Sequence, residues 1–570
     1  MIPSTLLLAL SVAVSGASGF PTDKPIKPNH ESAKENANRV FNAIHSAGRQ
    51  WGSSLYHNGF GFFPAVMPMG TLLFHGDWNN TVPVGPEWLA FEIEHAEGFA
   101  RSYKKGFRKR PGFPEGRKPD DPNPPPPPLN GHSNHQEPLS GSEKTRQELR
   151  RRHDDHGPDD HGDENKTIRG YLHTYQAKRD LNLLYIDGMS AGKTDMGTLD
   201  SQDLLLRENT TNHQQPGFNE IPRALDLCDL AEEWGYDGLV RMEAGFEVIY
   251  CDFTNGLNLV SMTRTMMPED KVGDDSLAQF QWARAVGERY NGLGADRLRI
   301  DFSSMVSGLF FPINITSTDI DRPDLLRLES AGLPSLKDIK RYLADVATQP
   351  RRFTVNWQGV VDLIVGRFAR RIESMTSDAL SWKLFVDEVE SITATWFDAS
   401  PLPDDISLAD EGMNRTADAI FRCRKHFLRP ATINWEKWSF EDELIFTSID
   451  TVMENVCNTL FSVRELLYDA SARGDSRLQK AAKTGRTLVR SLMEDLAWTI
   501  WAQEQTCPAG EVLFIAMWPF GGAKDHWNPG CRSIDGLMQP GDEPYWMPYW
   551  KIGSETPKGK PRASDRTWAM

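Results

Sequence analysis

The spacing of apolar residues changes once along this 570-residue chain, near residue 320, and that change limits the folds open to it. Before the change, short apolar runs are punctuated by Gly, Asn and Asp. They are Gly70-Thr-Leu-Leu-Phe-His75, Glu87-Trp-Leu-Ala-Phe-Glu92, Leu181-Asn-Leu-Leu-Tyr-Ile186, Gly245-Phe-Glu-Val-Ile-Tyr-Cys251, Leu257 to Met262 and Leu298 to Phe302. Such runs read as β-strands, and Thr254-Asn255-Gly256 between two of them predicts a hairpin. After the change, apolar residues recur at steps of three and four. Val360, Val361, Ile364, Val365, Phe368 and Ile372 make one such series, and Ile449, Val452, Val456, Leu460, Val463 and Leu467 another. Leu488, Leu492, Leu496 and Ile500 make a third, with further helices over Met375 to Phe397 and Met413 to Leu428. That period buries one face of a helix. The fold class is therefore α+β: a strand-rich domain over 20–320, then a mainly helical domain over 321–550. The break falls at Ile320-Asp321-Arg322-Pro323.

The remaining segments carry little core. Leu6 to Val14 followed by Ala17-Ser18-Gly19 reads as a signal peptide over 1–19, too short to span a bilayer. Residues 104–165 hold Pro124 to Pro128 and clusters of Arg, Asp, His and Gly, a composition expected to stay disordered. His153, His156 and His161 there suit a solvated loop better than a metal site. The tail 551–570 reads as loose. Secretion gives meaning to five N-x-S/T sequons, at Asn79, Asn165, Asn209, Asn314 and Asn414. It also makes the six cysteines disulfide candidates. About fifteen connectivities are open. Pairing between sequence neighbours is the expectation: Cys228 with Cys251, Cys423 with Cys457, Cys507 with Cys531. A net charge of −16 argues against nucleic-acid partners. No apolar stretch beyond the signal peptide is long enough to span a membrane.

Chemistry concentrates after the strand that ends at Ile186. Leu184-Tyr-Ile-Asp-Gly-Met-Ser-Ala-Gly-Lys-Thr194 imitates a phosphate loop, but its spacing is one residue short and Asp187 would repel a phosphate. Gly188-Met-Ser190-Ala-Gly192 also fits a nucleophile elbow, with His426 or His526 downstream, which keeps a hydrolase open as an alternative. Tyr185, Asp187, Lys193, Asp195, Asp200 and Asp203 crowd the end of a buried strand, where active residues often emerge. Lys193 with Asp187 or Asp195 would form an acid/base pair. Carboxylates such as Glu243 and Asp187 could serve glycoside hydrolysis. A second candidate surrounds His75, with Trp88 and Glu94-His95 after it, a segment similar to the nicotinamide pocket of ADP-ribosyltransferases. Trp518, Phe520 and Tyr545 to Trp550 form aromatic loops able to line an apolar cavity. No H-E-x-x-H appears, and neither metal nor cofactor is expected.

The runs Arg49-Gln-Trp-Gly-Ser-Ser-Leu-Tyr-His-Asn58, Phe74-His-Gly76, Glu87-Trp-Leu-Ala-Phe91 and Tyr185-Ile-Asp-Gly-Met-Ser-Ala-Gly-Lys-Thr194 resemble a family of secreted filamentous-fungal proteins. That family includes the hetero-Diels–Alderases of tropolone–sesquiterpenoid biosynthesis. The resemblance implies a cofactor-free cycloaddition between a tropolone-derived quinone methide and a terpene alkene. The substrate would be small, apolar or planar. Tyr185, Lys193 or His75 would be the donor or acid, Asp187 the base, and Trp88, Trp518 and Phe520 the walls. A non-catalytic glycoprotein that binds an apolar ligand is the remaining class. The Pro-rich insertion departs from the pathway enzymes.

Glycan is expected on at least two of the five sequons. Peptide-N-glycosidase treatment should raise the gel mobility of the secreted protein, and unchanged mobility would refute it.

Overall fold

The computed structural model describes residues 25–104, 167–208, 220–267, 270–271, 275–289, 291–398, 414–503, 506–537 and 545–546. The signal peptide, the 104–165 insertion beyond Lys104, Asn165, Asn209 and the 551–570 tail lie outside the described residues. Strands come first and helices later, so the α+β class holds. The strands are β1 (Gly61–Met67), β2 (Leu72–Asp77), β3 (Glu87–Ala90), β4 (Tyr103–Lys104), β5 (Thr167–Ile168), β6 (Tyr171–Ala177) and β7 (Leu181–Ile186). They continue with β8 (Gly238–Glu243), β9 (Gly245–Tyr250), β10 (Leu257–Arg264), β11 (Arg299–Ile300), β12 (Val306–Ser307), β13 (Glu511–Phe514) and β14 (Gly530–Ser533).

Ten of these form one sheet in the order β10-β6-β2-β3-β9-β8-β7-β1-β11, with β12 also on β1. Only β7 and β8 run parallel, in the register Leu184↔Leu239. The connection between them carries the 187–206 loop and the helix Glu220–Trp234, as a parallel crossover requires. Thr254-Asn255-Gly256 does make a turn, with the Asn255 amide donating to the Asp252 carbonyl over 3.1 Å. The expected hairpin does not form, however. Both edges of β9 are taken by β3 and β8, so β10 crosses the sheet and pairs with β6.

The helical half is built on Phe440–Ser471. Ser439 and Asp442 make its capping box, which satisfies amides that the first turn leaves unpaired. Asp442 also accepts from the Trp357 indole at 2.7 Å and from the Ser303 hydroxyl at 2.8 Å, joining this helix to Trp357–Thr376 and to the segment after β11. Apolar packing continues from the sheet into these helices as one cluster that includes Phe63, Val240, Trp357 and Val456. The N-terminal helix Ala37–Ser46 belongs to the same layer. Its Asn42 amide donates to the Leu496 carbonyl at 3.0 Å.

All six cysteines pair as sequence neighbours: Cys228–Cys251, Cys423–Cys457 and Cys507–Cys531. Among the described residues no helix is long and apolar enough to cross a membrane. Asn79, Asn314 and Asn414 are exposed.

Tyr185 and Asp187 serve this frame, and neither stands at a pocket mouth as expected. Tyr185 is fully buried, and its hydroxyl accepts from the Gly48 amide at 3.2 Å. It packs on Phe63 from the paired strand β1. Asp187 is 6% exposed and accepts from the Gly61 amide at 2.7 Å. A Cβ at Gly59 would lie 2.1 Å from the Asp187 carbonyl oxygen, so only glycine permits this approach. The buried strand end turns its polar side chains back onto the chain before β1, not outward.

Burial pushes the Asp187 carboxyl from 3.8 up to about 7, although the amides of Gly61 and Phe60 pull it down. Between these values the fold keeps a proton that the unfolded chain releases. Stability should therefore fall as pH rises from about 4 to 7, and level off above. Asp187→Asn, a mimic of the neutral acid, should remove this share of the slope in denaturant titrations. A constant wild-type-minus-variant difference from pH 4 to 8 would show that Asp187 is ionised in the fold.

Candidate active site

Strand β8 ends at Glu243 and β9 starts at Gly245, so Ala244 alone makes the turn. Gly245 has φ +110°, and a Cβ there would come within 2.8 Å of His95 Nδ1. Glycine thus allows both the tight turn and the approach of the helix Ile93–Glu97. The turn is clamped on every side. The Gln50 amide donates to the Glu243 carbonyl at 2.7 Å and accepts from the Gly245 amide at 3.0 Å. The Trp282 indole donates to the Ala244 carbonyl at 2.8 Å, and the Ala244 amide donates to the Trp518 carbonyl at 2.9 Å.

This rigid turn presents the Glu243 carboxylate. Lys193 Nζ donates to its Oε2 at 2.8 Å, and His95 Nε2 lies 3.5 Å from its Oε1. Their side chains are 3%, 9% and 1% exposed for Glu243, Lys193 and His95. The loop that delivers Lys193 is fixed by the Ala191 amide on the Met242 carbonyl at 2.8 Å. Rings complete the site: Trp518 with Lys193 Nζ 4.8 Å from its centroid, Trp282 stacked on His95 at 5.1 Å, and Phe520 edge-on to Trp282 at 5.0 Å. Trp518 and Phe520 are half-buried, so the aromatic cover reaches the surface. Burial alone would raise the Glu243 carboxyl, but Lys193 and His95 outweigh it and hold the group low. Burial would likewise lower the Lys193 ammonium, but Glu243, Glu220 and Glu247 hold it high. The pair is ionic: a fixed donor cation beside a carboxylate.

Behind it runs a ladder of buried ion pairs. Arg241 bridges Glu247 at 2.7 Å and Glu220. Arg223 bridges Glu220 at 2.6 Å and Asp203 at 2.7 Å. The Glu220 carboxyl, which burial would raise, is forced well below its ordinary range by Arg241, Lys193 and Arg223. Donor atoms of His95, Glu243 and Glu247 come within 4.8 Å of one another, a spacing compatible with a metal ion. Lys193 and Arg241 already neutralise the two carboxylates, so a divalent ion would have to displace an ammonium or a guanidinium.

Of the residues named from sequence, Lys193, Glu243, His95, Trp518 and Phe520 meet here. The partner of Lys193 is Glu243, not Asp187 or Asp195, because the β7–β8 parallel register brings a residue 50 positions on beside it. Asp200 and Asp203 are instead held by Arg327 at 2.8 Å and by Arg223. His75 and Trp88 line a small cavity on the other side of His95. Ser190 is buried, and its hydroxyl donates to the Ile186 carbonyl at 3.0 Å. His526 stacks on Tyr545 at 3.9 Å and His426 sits edge-on to Trp396 at 5.0 Å, so each packs on another ring. Sequence reasoning missed Arg241, Glu247, Glu220 and Trp282. The available signal was charge inside strands: Arg241 and Glu243 alternate within β8, and Glu247 opposes Arg241 in β9. Charges at buried strand positions require partners, and hence a site or a clamp.

The family model described as the YPL277C N-terminal domain matches residues 30–275, which hold β1 to β10 and the whole ionic site. The uncharacterized yeast (Saccharomyces cerevisiae) protein YOR389W is 28% identical over 565 residues, covering 85% of this chain and 82% of its own. The uncharacterized protein YPL277C of the same yeast is 30% identical over 426 residues, covering 63% of this chain and 79% of its own. No solved structure matches. The chain belongs to the family of the yeast protein YPL277C.

Proposed function

We propose that this chain is a secretory-pathway enzyme that works by proton transfer at Lys193, Glu243 and His95. The observation that carries this reading is the one carboxylate, Glu243, contacting both an ammonium at 2.8 Å and an imidazole at 3.5 Å in a site closed from water by aromatic rings. Three disulfides support the compartment. Lys193 stays cationic and donates to a substrate oxygen that gains negative charge, an interaction stronger where water is excluded. Glu243 fixes the His95 Nε2–H, which leaves the Nδ1 lone pair as the proton acceptor. Trp518 and Phe520 hold a planar, apolar substrate over the ammonium.

The resemblance to hetero-Diels–Alderases gives this chemistry a specific form. His95 takes the hydroxyl proton of a hydroxymethyl tropolone and returns it to the departing hydroxyl, releasing water and a quinone methide. Lys193 donates to the heterodiene oxygen while the terpene alkene adds across it, with no atoms gained or lost. Holding the partners in contact supplies part of the acceleration.

The test is incubation of the protein with such a tropolone and a macrocyclic terpene. A single stereoisomer should form faster than in buffer. Lys193→Met should cut the rate by about 10², the size of an acid/base loss. It should also destabilise the fold, because Glu243 is left buried and unpaired, at a cost of about 3–5 kcal/mol. The double variant Lys193→Met/Glu243→Leu should recover stability but not rate. Recovery of both would make the pair a structural clamp. An adduct no faster than in buffer would remove the cycloaddition.

A further inference from the structure

The aromatic cover of the ionic site has a second fastening, at Tyr545 and Trp546. The Trp546 indole donates to the Phe520 carbonyl at 3.0 Å. The Tyr545 hydroxyl lies 2.9 Å from His57 Nε2. The tautomer of His57 follows from its neighbour. Asn58 donates both amide hydrogens to carbonyls, those of Met196 and Leu326, each at 2.8 Å. Its Oδ1 can therefore only accept, and it lies 2.8 Å from His57 Nδ1. Nδ1 carries the hydrogen, Nε2 presents the lone pair, and the Tyr545 hydroxyl donates to it. The phenol oxygen in turn accepts from the Arg322 guanidinium at 3.1 Å. His57, Tyr545 and Trp546 are all buried, and the His57 and Trp546 rings meet edge-on at 5.3 Å. His57 reaches the cover by its backbone as well. Its carbonyl accepts from the Met189 amide at 2.8 Å, and the Met189 sulfur accepts from the Trp518 amide at 3.1 Å.

We infer that Tyr545 and Trp546 form a pH-sensitive latch on the Trp518–Phe520 cover, closed while His57 is neutral and released when His57 is protonated. A proton on Nε2 turns the acceptor into a donor and leaves the Tyr545 hydroxyl hydrogen without its partner. It also sets a second cation beside the oxygen that Arg322 already holds. The charged and titratable groups around the ring are few. Arg322, Asp324 and Arg327 face it from one segment, with Arg322 paired to Asp324 at 2.9 Å and Arg327 to Asp200 at 2.8 Å. The His526 ring lies 5.9 Å away and stacks on Tyr545, while Asp187 turns to the Gly61 amide. Burial lowers the His57 imidazole from 6.5 to about 4, and Arg322 and Arg327 add to the effect. A released ring regains its ordinary affinity for protons, so acid favours release. Closure is complete above 6.5, weakens as pH falls from there to about 4, and levels off below. The full span corresponds to about 10²-fold in the closed-to-open ratio. The inference rests on the proton-transfer reading only in treating Trp518 and Phe520 as a substrate cover. Its test reads the opening of that cover and not turnover, so the two can fail separately.

The experiment is hydrogen–deuterium exchange of the full-length protein between about pH 7 and about pH 4, expressed relative to the free-peptide rate at each pH. The reporting amides are Phe520, which donates to the Met517 carbonyl, and Ala244, which donates to the Trp518 carbonyl at 2.9 Å. Their protection should drop at least about tenfold in acid, while that of the helix Phe440–Ser471 stays constant. Tyr545→Phe keeps the ring and removes the donor, so it should lower protection at neutral pH and abolish the response to acid. His57→Gln, neutral at every pH, should abolish the response as well, which separates His57 from His526. Either variant suffices if the other fails to fold. Protection that does not change with pH overturns the proposal. So does an acid response that survives in a folded variant, or one that the helix Phe440–Ser471 shares.

Discussion

Arg241 is a guanidinium in the middle of a sheet, fully buried, and much of the site's architecture follows from making that tolerable. A charge there is stable only when matched, since transfer from water costs several kcal/mol per ion. Glu247 supplies one match from the neighbouring strand, in direct register. Glu220 supplies another from the first turn of the helix Glu220–Trp234, which fixes where that helix lies over the sheet. Gln202 accepts from Arg241 at 3.0 Å and brings the 201–206 segment down. Glu220 then needs Arg223, and Arg223 needs Asp203. Each ion pair positions one further element, and the last of them, through Lys193 and Glu243, faces the aromatic cover.

This dependence explains what could be read in advance. Periodicity exposed the helices Trp357–Thr376 and Phe440–Ser471, because each buries one continuous stripe. It exposed β7 at its observed bounds, because that strand is nearly all apolar. β8 was hidden because Arg241 and Glu243 interrupt its apolar run. β1 was hidden because Pro64 sits inside it, a residue normally confined to strand edges. The cysteine pairs were legible for the opposite reason: sequence separations of 23, 34 and 24 leave short loops to close.

The site was legible in its parts and not in its pairings. A lysine after a buried strand is a visible candidate, but its partner depended on β8 lying parallel to β7, which no local pattern encodes. The neighbouring carboxylate, Asp187, was the natural choice on proximity. It was unavailable because the close approach that Gly59 permits brings the Phe60 and Gly61 amides to it first. Long-range strand order thus decided which acid met which base.

The same order places the ionic cluster and the β2–β3 cavity back to back. β9 pairs with β8 on one side and with β3 on the other. Its first residue, Gly245, supports the Lys193–Glu243–His95 cluster, while β3 opposite carries Glu87 and Trp88 into the β2–β3 gap. His95 belongs to both, contacting Glu243 with one nitrogen and lining the cavity with its ring. Full pairing of β2 with β3 would have satisfied the backbone there and closed the cavity. The gap is instead held open by the His75 ring on the Trp88 carbonyl, so the lone pair that remains on His75 Nε2 is a direct consequence of how these two strands part.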